Sequence, residues 1–126
     1  MQRIHVRNQP KYHFIKNTSY ALKGLKDLLL TETSFRIELV AVCVLIPLLW
    51  FFSLELWYKL LMFSSLTGIL IAEAINSAIE RVTDLVTLEH HEMAGRAKDM
   101  GSTVVFLSIG VCVVIWCFGL WQWAQH

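Results

Sequence analysis

Apolar residues gather in long runs along this chain, and the charges collect between them. From Met100 to the end there is no Lys, Arg, Asp or Glu. A spanning helix needs about 20 apolar residues, so roughly 103–124 is predicted to cross a membrane. Residues 39–72 carry only Glu55 and Lys59 as charges. They are too long for one span and have a polar break around Ser53–Tyr58, which predicts two helices joined by a very short turn. Pro47 inside the first is expected to kink it, a distortion that neighbouring helices accommodate in a membrane. The expected membrane helices cover about 34–53, 55–86 (including a cytoplasmic extension) and 93–123. Ahead of them, Ile15, Leu22, Leu25 and Leu29 share one face of a helix over about 11–30, with Lys16 and Lys23 off that face and Lys26 at its edge. That pattern predicts an amphipathic helix lying on the anionic inner leaflet. A frayed basic tail is the alternative, and Gly24 weakens the helix slightly.

Composition supports a single membrane domain over 1–126. The chain has 126 residues, 56% hydrophobic and 17% charged, with a mean hydropathy of +0.52. This is too apolar for an ordinary soluble domain of its length and too short for several domains. A formal net charge of +1 offers no basic signature for nucleic acid, and none is expected as a partner. Cys43, Cys112 and Cys117 all lie in apolar stretches without metal-ligand spacing, so they are expected to be small buried residues. The first residues are polar and basic with no apolar core, so a removed signal peptide is not expected.

Charge placement sets the expected topology. Seven of the eleven Lys and Arg (Arg3, Arg7, Lys11, Lys16, Lys23, Lys26 and Arg36) precede the first span. Arg81, Arg96 and Lys98 lie between the second and third, and only Lys59 lies on the other side. The positive-inside rule then puts the N-terminus and the 80–100 segment in the cytoplasm and the C-terminus outside. Trp50, Trp57, Trp116, Trp121 and Trp123 all fall toward the outer interface, where an aromatic belt belongs.

Candidate chemistry sits at the cytoplasmic boundary. At about 100° per residue, Glu73, Glu80 and Asp84 lie within about 20° of one meridian, flanked by Asn76 and Ser77. A run of about 20 residues from Leu54 brings Glu73 to the inner edge of the hydrocarbon, with Glu80 about two turns beyond. Carboxylates at that depth are expensive and mark function. They offer the hard oxygen that Mg²⁺ prefers, and one held against lipid suits a general base. The competing reading is a helix end whose acids are solvated or paired with Arg81. The following Glu89–Ser102 segment holds no His-Glu-x-x-His motif, and the chain has neither a Walker A loop nor a kinase Gly-rich loop. Lys98 could pair with phosphate oxygens and Asp99 could accept from a ribose. Glu32, Arg36 and Glu38 form a second polar cluster at the same level, and helix packing could bring Glu32 to Glu80.

These residues carry a resemblance. Glu73-x-x-Asn76-Ser77-x-Ile79-Glu80, followed by Glu89-x-His91-x-x-x-Gly95-Arg96-Ala97-Lys98-Asp99-Met100-Gly101-Ser102, resembles the prokaryotic diacylglycerol kinase family, and Glu32-x-x-Phe35-Arg36-x-Glu38 fits its entry to the first span. The likeness runs from about Lys16 to Trp121. It implies an all-α membrane protein with three transmembrane helices and an N-terminal surface helix. It also implies a homotrimer whose three sites are shared between neighbouring subunits in the bacterial inner membrane. The implied reaction is transfer of phosphate from Mg-ATP to 1,2-diacylglycerol, giving phosphatidic acid. By the same resemblance Glu73 is the general base and Glu32 and Glu80 hold Mg²⁺ at the ATP phosphates. Lys98 contacts phosphate, while Asp99, Glu89, His90, His91 and Tyr20 contact the nucleotide. Ser34, Phe35, Arg36, Ile37, Glu38 and Ser102 lie against the lipid, and Asn76 orients the acidic helix.

The chain departs from the family pattern at three places. His13 stands where relatives carry a basic residue, Ala21-Leu22 follow Tyr20 where Ser-Trp is familiar, and His90 stands where Tyr is common. None touches the Mg-phosphate centre. A related branch phosphorylates undecaprenol, and there the segment after Lys-Asp tends toward small Ala-rich residues; Met100-Gly101-Ser102 favours diacylglycerol. A non-enzymatic proton or cation conductor accounts for Glu73 but gives no reason for the Lys98-Asp99 block.

Overall fold

A computed structural model describes residues 11–126. Arg3 and Arg7, part of the topological charge count, lie outside the described residues. The described chain forms four helices and no strand: α1 (Phe14–Thr31), α2 (Thr33–Leu48), α3 (Leu56–Val86) and α4 (Glu92–Ala124). The all-α expectation and all four expected elements are therefore present, with adjusted ends.

α1 buries no residue. Only its last turns, around Leu28 and Leu29, are half-buried, and the rest of its apolar face is exposed among the described residues, as fits a helix whose counterpart is a lipid surface. A single extended residue, Glu32, separates α1 from α2 (φ −104°, ψ 106°) and caps both helices.

Pro47 behaves differently from expectation. It occupies the last turn of α2, and the helix stops at Leu48 rather than continuing bent to 53. A proline lacks an N–H and its ring crowds the carbonyl four residues back, so it disturbs the turn before it, here the final turn of α2, and no helix follows for it to bend. The connection to α3 accordingly falls at Leu49–Glu55, and Trp57 and Tyr58 are already helical.

α3 and α4, of 31 and 33 residues, are each long and apolar enough to cross a membrane. At about 1.5 Å per residue α3 extends about 46 Å, beyond a hydrocarbon core of about 30 Å. Its last turns must therefore stand in water. α2 has 16 residues, about 24 Å by the same rise, and by length alone does not complete a span.

The helices meet along small residues and sulfur. Val42, Leu66 and Cys112 form the centre of the core, with Leu45, Ile69 and Trp116 packed around them. The Trp116 indole donates to the Met62 carbonyl at 3.3 Å, and Ser65 Oγ donates to Cys112 Sγ at 3.4 Å. Gly119 makes room for the side chain of Met62, which is 1% exposed. All three cysteines are free; Cys112 is buried as expected, whereas Cys43 and Cys117 face outward. Outward apolar residues cost nothing against lipid, which explains why these two escape the core. Aromatic rings gather at the end remote from the acids, with Phe52 against Trp123 at 5.1 Å and Phe118 between Tyr58 and Trp121.

Candidate active site at the acidic end of the bundle

Glu73 lies about 26 Å along α3 from Leu56, on the rise of about 1.5 Å per residue. It is one of two buried polar residues among the described residues, with 8% exposure, and Ser77 one turn on has 4%. The first turns of α2 supply the facing wall. Phe35 is buried at 3% and seats that turn, which turns Glu38 inward to interact directly with Glu73. Glu38 Oε2 is buried and has no hydrogen-bond partner among the described residues. Buried acceptors are normally satisfied, so an unpartnered one beside Glu73 stands out. Ser34, Arg36 and Ile37 point outward, and Arg36 Nη2 donates to Thr33 Oγ1 at 3.0 Å. Of the five residues 34–38, the fold thus gathers Phe35 and Glu38 at the carboxylates and leaves three on the outer face.

Further along α3, Asn76 Nδ2 donates to Glu80 Oε1 at 3.2 Å. Its amide oxygen is buried and unpartnered, close against Gly101 of α4. The sequence placed Asn76 beside the acids; the contact to Glu80 gives it the orienting position.

Glu32 is held by Arg81. The guanidinium pairs with Asp27, reaches Thr31 Oγ1 at 2.6 Å, and meets Glu32 Oε1 at 3.0 Å. These hydrogen bonds, Asp27 first and Glu32 second, hold the Arg81 pKa above its ordinary value. Arg81 therefore serves α1 and the α1–α2 junction, and forms no ion pair with the acids of its own helix among the described residues. The alternative in which Arg81 neutralises Glu73 or Glu80 is not what the fold adopts. Neither Asp27 nor Thr31 belongs to any pattern that marks them in the sequence.

Between the end of α3 and the start of α4 opens a cavity of about 290 Å³, lined by Asp84, Glu89, His90, His91, Gly95 and Lys98 among others. Four residues expected at a nucleotide are thereby brought together. Lys98 Nζ pairs with Asp84 Oδ1 at 2.6 Å, and that hydrogen bond raises the lysine pKa above its usual value. His91 caps α4, its Nδ1 accepting from the Met93 N–H at 3.2 Å. Ala94 and Gly95 in the first turn of α4 form one wall. Asp99, Ser102 and Tyr20 do not line this cavity; Tyr20 is 59% exposed on α1 beneath the Lys23 ammonium. Asp84 was legible on the acidic stripe, but its pairing with Lys98 across the α3–α4 turn was not.

Among the described residues no three His, Cys, Asp or Glu side chains converge as a metal cage. Mg²⁺ seldom has such a cage, since one or two carboxylates, waters and substrate phosphates complete its octahedron. Glu32, with one oxygen on Arg81, and Glu80, with one oxygen on Asn76, are the carboxylates of the right chemical kind at this end of the bundle.

An all-helical protein with two membrane-length helices, a buried carboxylate (Glu73) beside the half-buried Glu38, and a polar cavity at the α3–α4 turn defines the class. The family model for prokaryotic diacylglycerol kinase matches residues 19–120. The chain is 41% identical over 104 residues to a diacylglycerol kinase of Haemophilus influenzae, covering 82% of this chain and 88% of that one. It is 41% identical over 108 residues to the diacylglycerol kinase of Escherichia coli K12, covering 86% and 88%. An undecaprenol kinase of Bacillus subtilis is 30% identical over 103 residues, covering 80% and 83%. This chain belongs to the prokaryotic diacylglycerol kinase family.

Proposed function

We propose that the chain is an ATP-dependent lipid kinase that converts 1,2-diacylglycerol to phosphatidic acid. The observation that carries this reading is the buried Glu73 carboxylate, with the open Glu38 acceptor beside it, on the same helix that leads to the Lys98 cavity. Glu73 takes the proton of the lipid hydroxyl as its oxygen attacks the γ-phosphorus. The bond from that phosphorus to the β–γ bridging oxygen breaks, ADP leaves, and the proton remains on the Glu73 carboxyl. Lys98 releases Asp84 and pairs with phosphate, while Glu89, His90 and His91 bound the nucleoside end. Asn76 holds Glu80 in place. Glu32 and Glu80 would hold Mg²⁺, which would supply charge neutralisation at the phosphates. Phosphoryl transfer rests on positioning and charge rather than covalent catalysis, so a protein of this size suffices.

In this reading 1–126 is one membrane domain in the bacterial inner membrane, with α2 completing a third span. The N-terminus and the site are cytoplasmic and the C-terminus is on the far side. The active form is a homotrimer. Its support is the wide apolar exposure of α2, α3 and α4, and the position of Tyr20 and Asp99 away from the cavity of their own chain. A neighbouring subunit brings these two to the nucleotide, while Ser34, Arg36, Ile37 and Ser102 face the lipid.

The undecaprenol kinase relative supports a second substrate, a long isoprenoid alcohol, at the same site. Purified protein in mixed micelles with labelled ATP and Mg²⁺, given each lipid alcohol separately, tests both. Labelled phosphatidic acid is expected, and no labelled lipid from either alcohol overturns the kinase reading.

A further inference from the structure

The Arg81 contacts have a consequence for the nucleotide site. α1 buries none of its residues, so little apolar packing fixes its direction. Its last turn is instead pinned by one side chain from α3. Arg81 binds Asp27 one turn before the end of α1, Thr31 at its final residue, and Glu32 at the extended junction. Thr31 Oγ1 also donates to the Asp27 carbonyl at 2.8 Å, so the three acceptors form one connected surface. A guanidinium can serve three acceptors in a fixed plane; an ammonium cannot hold the same geometry. The contact to Glu32 uses Oε1 alone. Oε2 has no protein hydrogen bond among the described residues and is available to another ligand. Glu32 is also the one non-helical residue between two helices, so without a side-chain anchor its direction is set by a flexible joint.

We propose that Arg81 is a positioning residue for metal-nucleotide binding, clasping Asp27, Thr31 and Glu32 so that Glu32 is held in one direction with its second oxygen free for a ligand. This rests on the lipid-kinase reading of the site. Groups that orient a ligating carboxylate typically change metal affinity by about 10-fold to 100-fold when removed. The clasp also couples the surface helix to the carboxylate helix, since the residue that aims Glu32 is the one that ties down α1.

The full-length protein in detergent micelles allows two readouts that need no turnover. Binding of Mn²⁺ with the non-hydrolysable analogue AMP-PNP is followed from the free Mn²⁺ paramagnetic resonance signal. Anchoring of α1 is followed by the rate of tryptic cleavage after Lys23 and Lys26. Arg81→Ala is expected to weaken Mn²⁺-nucleotide binding by roughly 10-fold or more and to speed cleavage roughly two- to five-fold. Arg81→Lys should recover only part of the binding. If Arg81→Ala does not fold, Asp27→Asn, which keeps the guanidinium but removes one anchor, should give an intermediate loss. Unchanged or tighter Mn²⁺-nucleotide binding with faster cleavage overturns the positioning role and leaves Arg81 as a helix anchor alone. If the unsubstituted protein binds no Mn²⁺-nucleotide, the kinase reading falls. The cleavage rate then still decides the clasp, and an unaltered rate in Arg81→Ala overturns it.

Discussion

Gly101 of α4 lies so close to Asn76 of α3 that a Cβ on the glycine would collide with the Asn76 amide oxygen. That amide donates from its other end to Glu80. The absence of a side chain on one helix therefore sets the direction of a carboxylate on another.

Gly101→Ala should displace Asn76 and release Glu80. Overpacking of this kind costs about 1–3 kcal/mol, enough to lower the melting temperature without abolishing the fold. The Mg²⁺ concentration at half-maximal turnover should rise, while Gly119→Ala, which meets only the flexible Met62 thioether, should leave it unchanged. Equal Mg²⁺ titrations for both variants would remove Gly101 and Asn76 from the positioning of Glu80.

Glu73→Gln keeps the size of the side chain and its capacity for hydrogen bonds but cannot accept the lipid proton. Turnover should fall by about 10²-fold or more, the range supplied by a general base. Thermal unfolding should be preserved or slightly improved, because a neutral amide next to Glu38 removes a like-charge contact. Retained turnover at normal rate would exclude the base role.

Lys98→Met should raise KM for ATP and leave KM for the lipid unchanged, measured by varying each substrate in turn. The Lys98–Asp84 pair is exposed on both sides (43% and 45%), and such pairs contribute little to stability, so the melting temperature should barely move. Its linkage to pH follows from the raised lysine pKa. A group whose folded pKa is raised gives its stabilisation below the unfolded value, about 10.4 for lysine, and loses it as pH rises through the folded value. Nucleotide affinity should therefore show no lysine titration below about pH 9. A step near neutrality beyond the nucleotide's own phosphate titration, lost on replacing His90 or His91, would assign the phosphate contact to a histidine instead.

The membrane helices were legible because lipid imposes long apolar runs with charges at their ends, and that pattern survives in one dimension. The acidic stripe of α3 was legible for a related reason, since helical periodicity alone puts Glu73 and Glu80 on one side. What periodicity cannot show is which neighbour faces that side. Glu38 meeting Glu73, Lys98 meeting Asp84, and Arg81 reaching back 54 residues to Asp27 all depend on how separate helices pack. Pro47 was misjudged because its effect depends on where the helix ends. Tyr20 and Asp99 remain apart from the cavity in one chain, where a resemblance could name them but no local pattern could place them.

Transfer of phosphate to a lipid hydroxyl with Glu73 as base is tested most directly by a substrate comparison. Protein in mixed micelles with labelled ATP and Mg²⁺ is given diacylglycerol or undecaprenol at equal surface concentration, with Glu73→Gln in parallel. Labelled phosphatidic acid from diacylglycerol is expected at a higher kcat/KM than product from undecaprenol, with both rates reduced about 10²-fold or more in Glu73→Gln. Labelled product from undecaprenol alone would contradict the substrate assignment, and lipid phosphorylation undiminished in Glu73→Gln would contradict the mechanism.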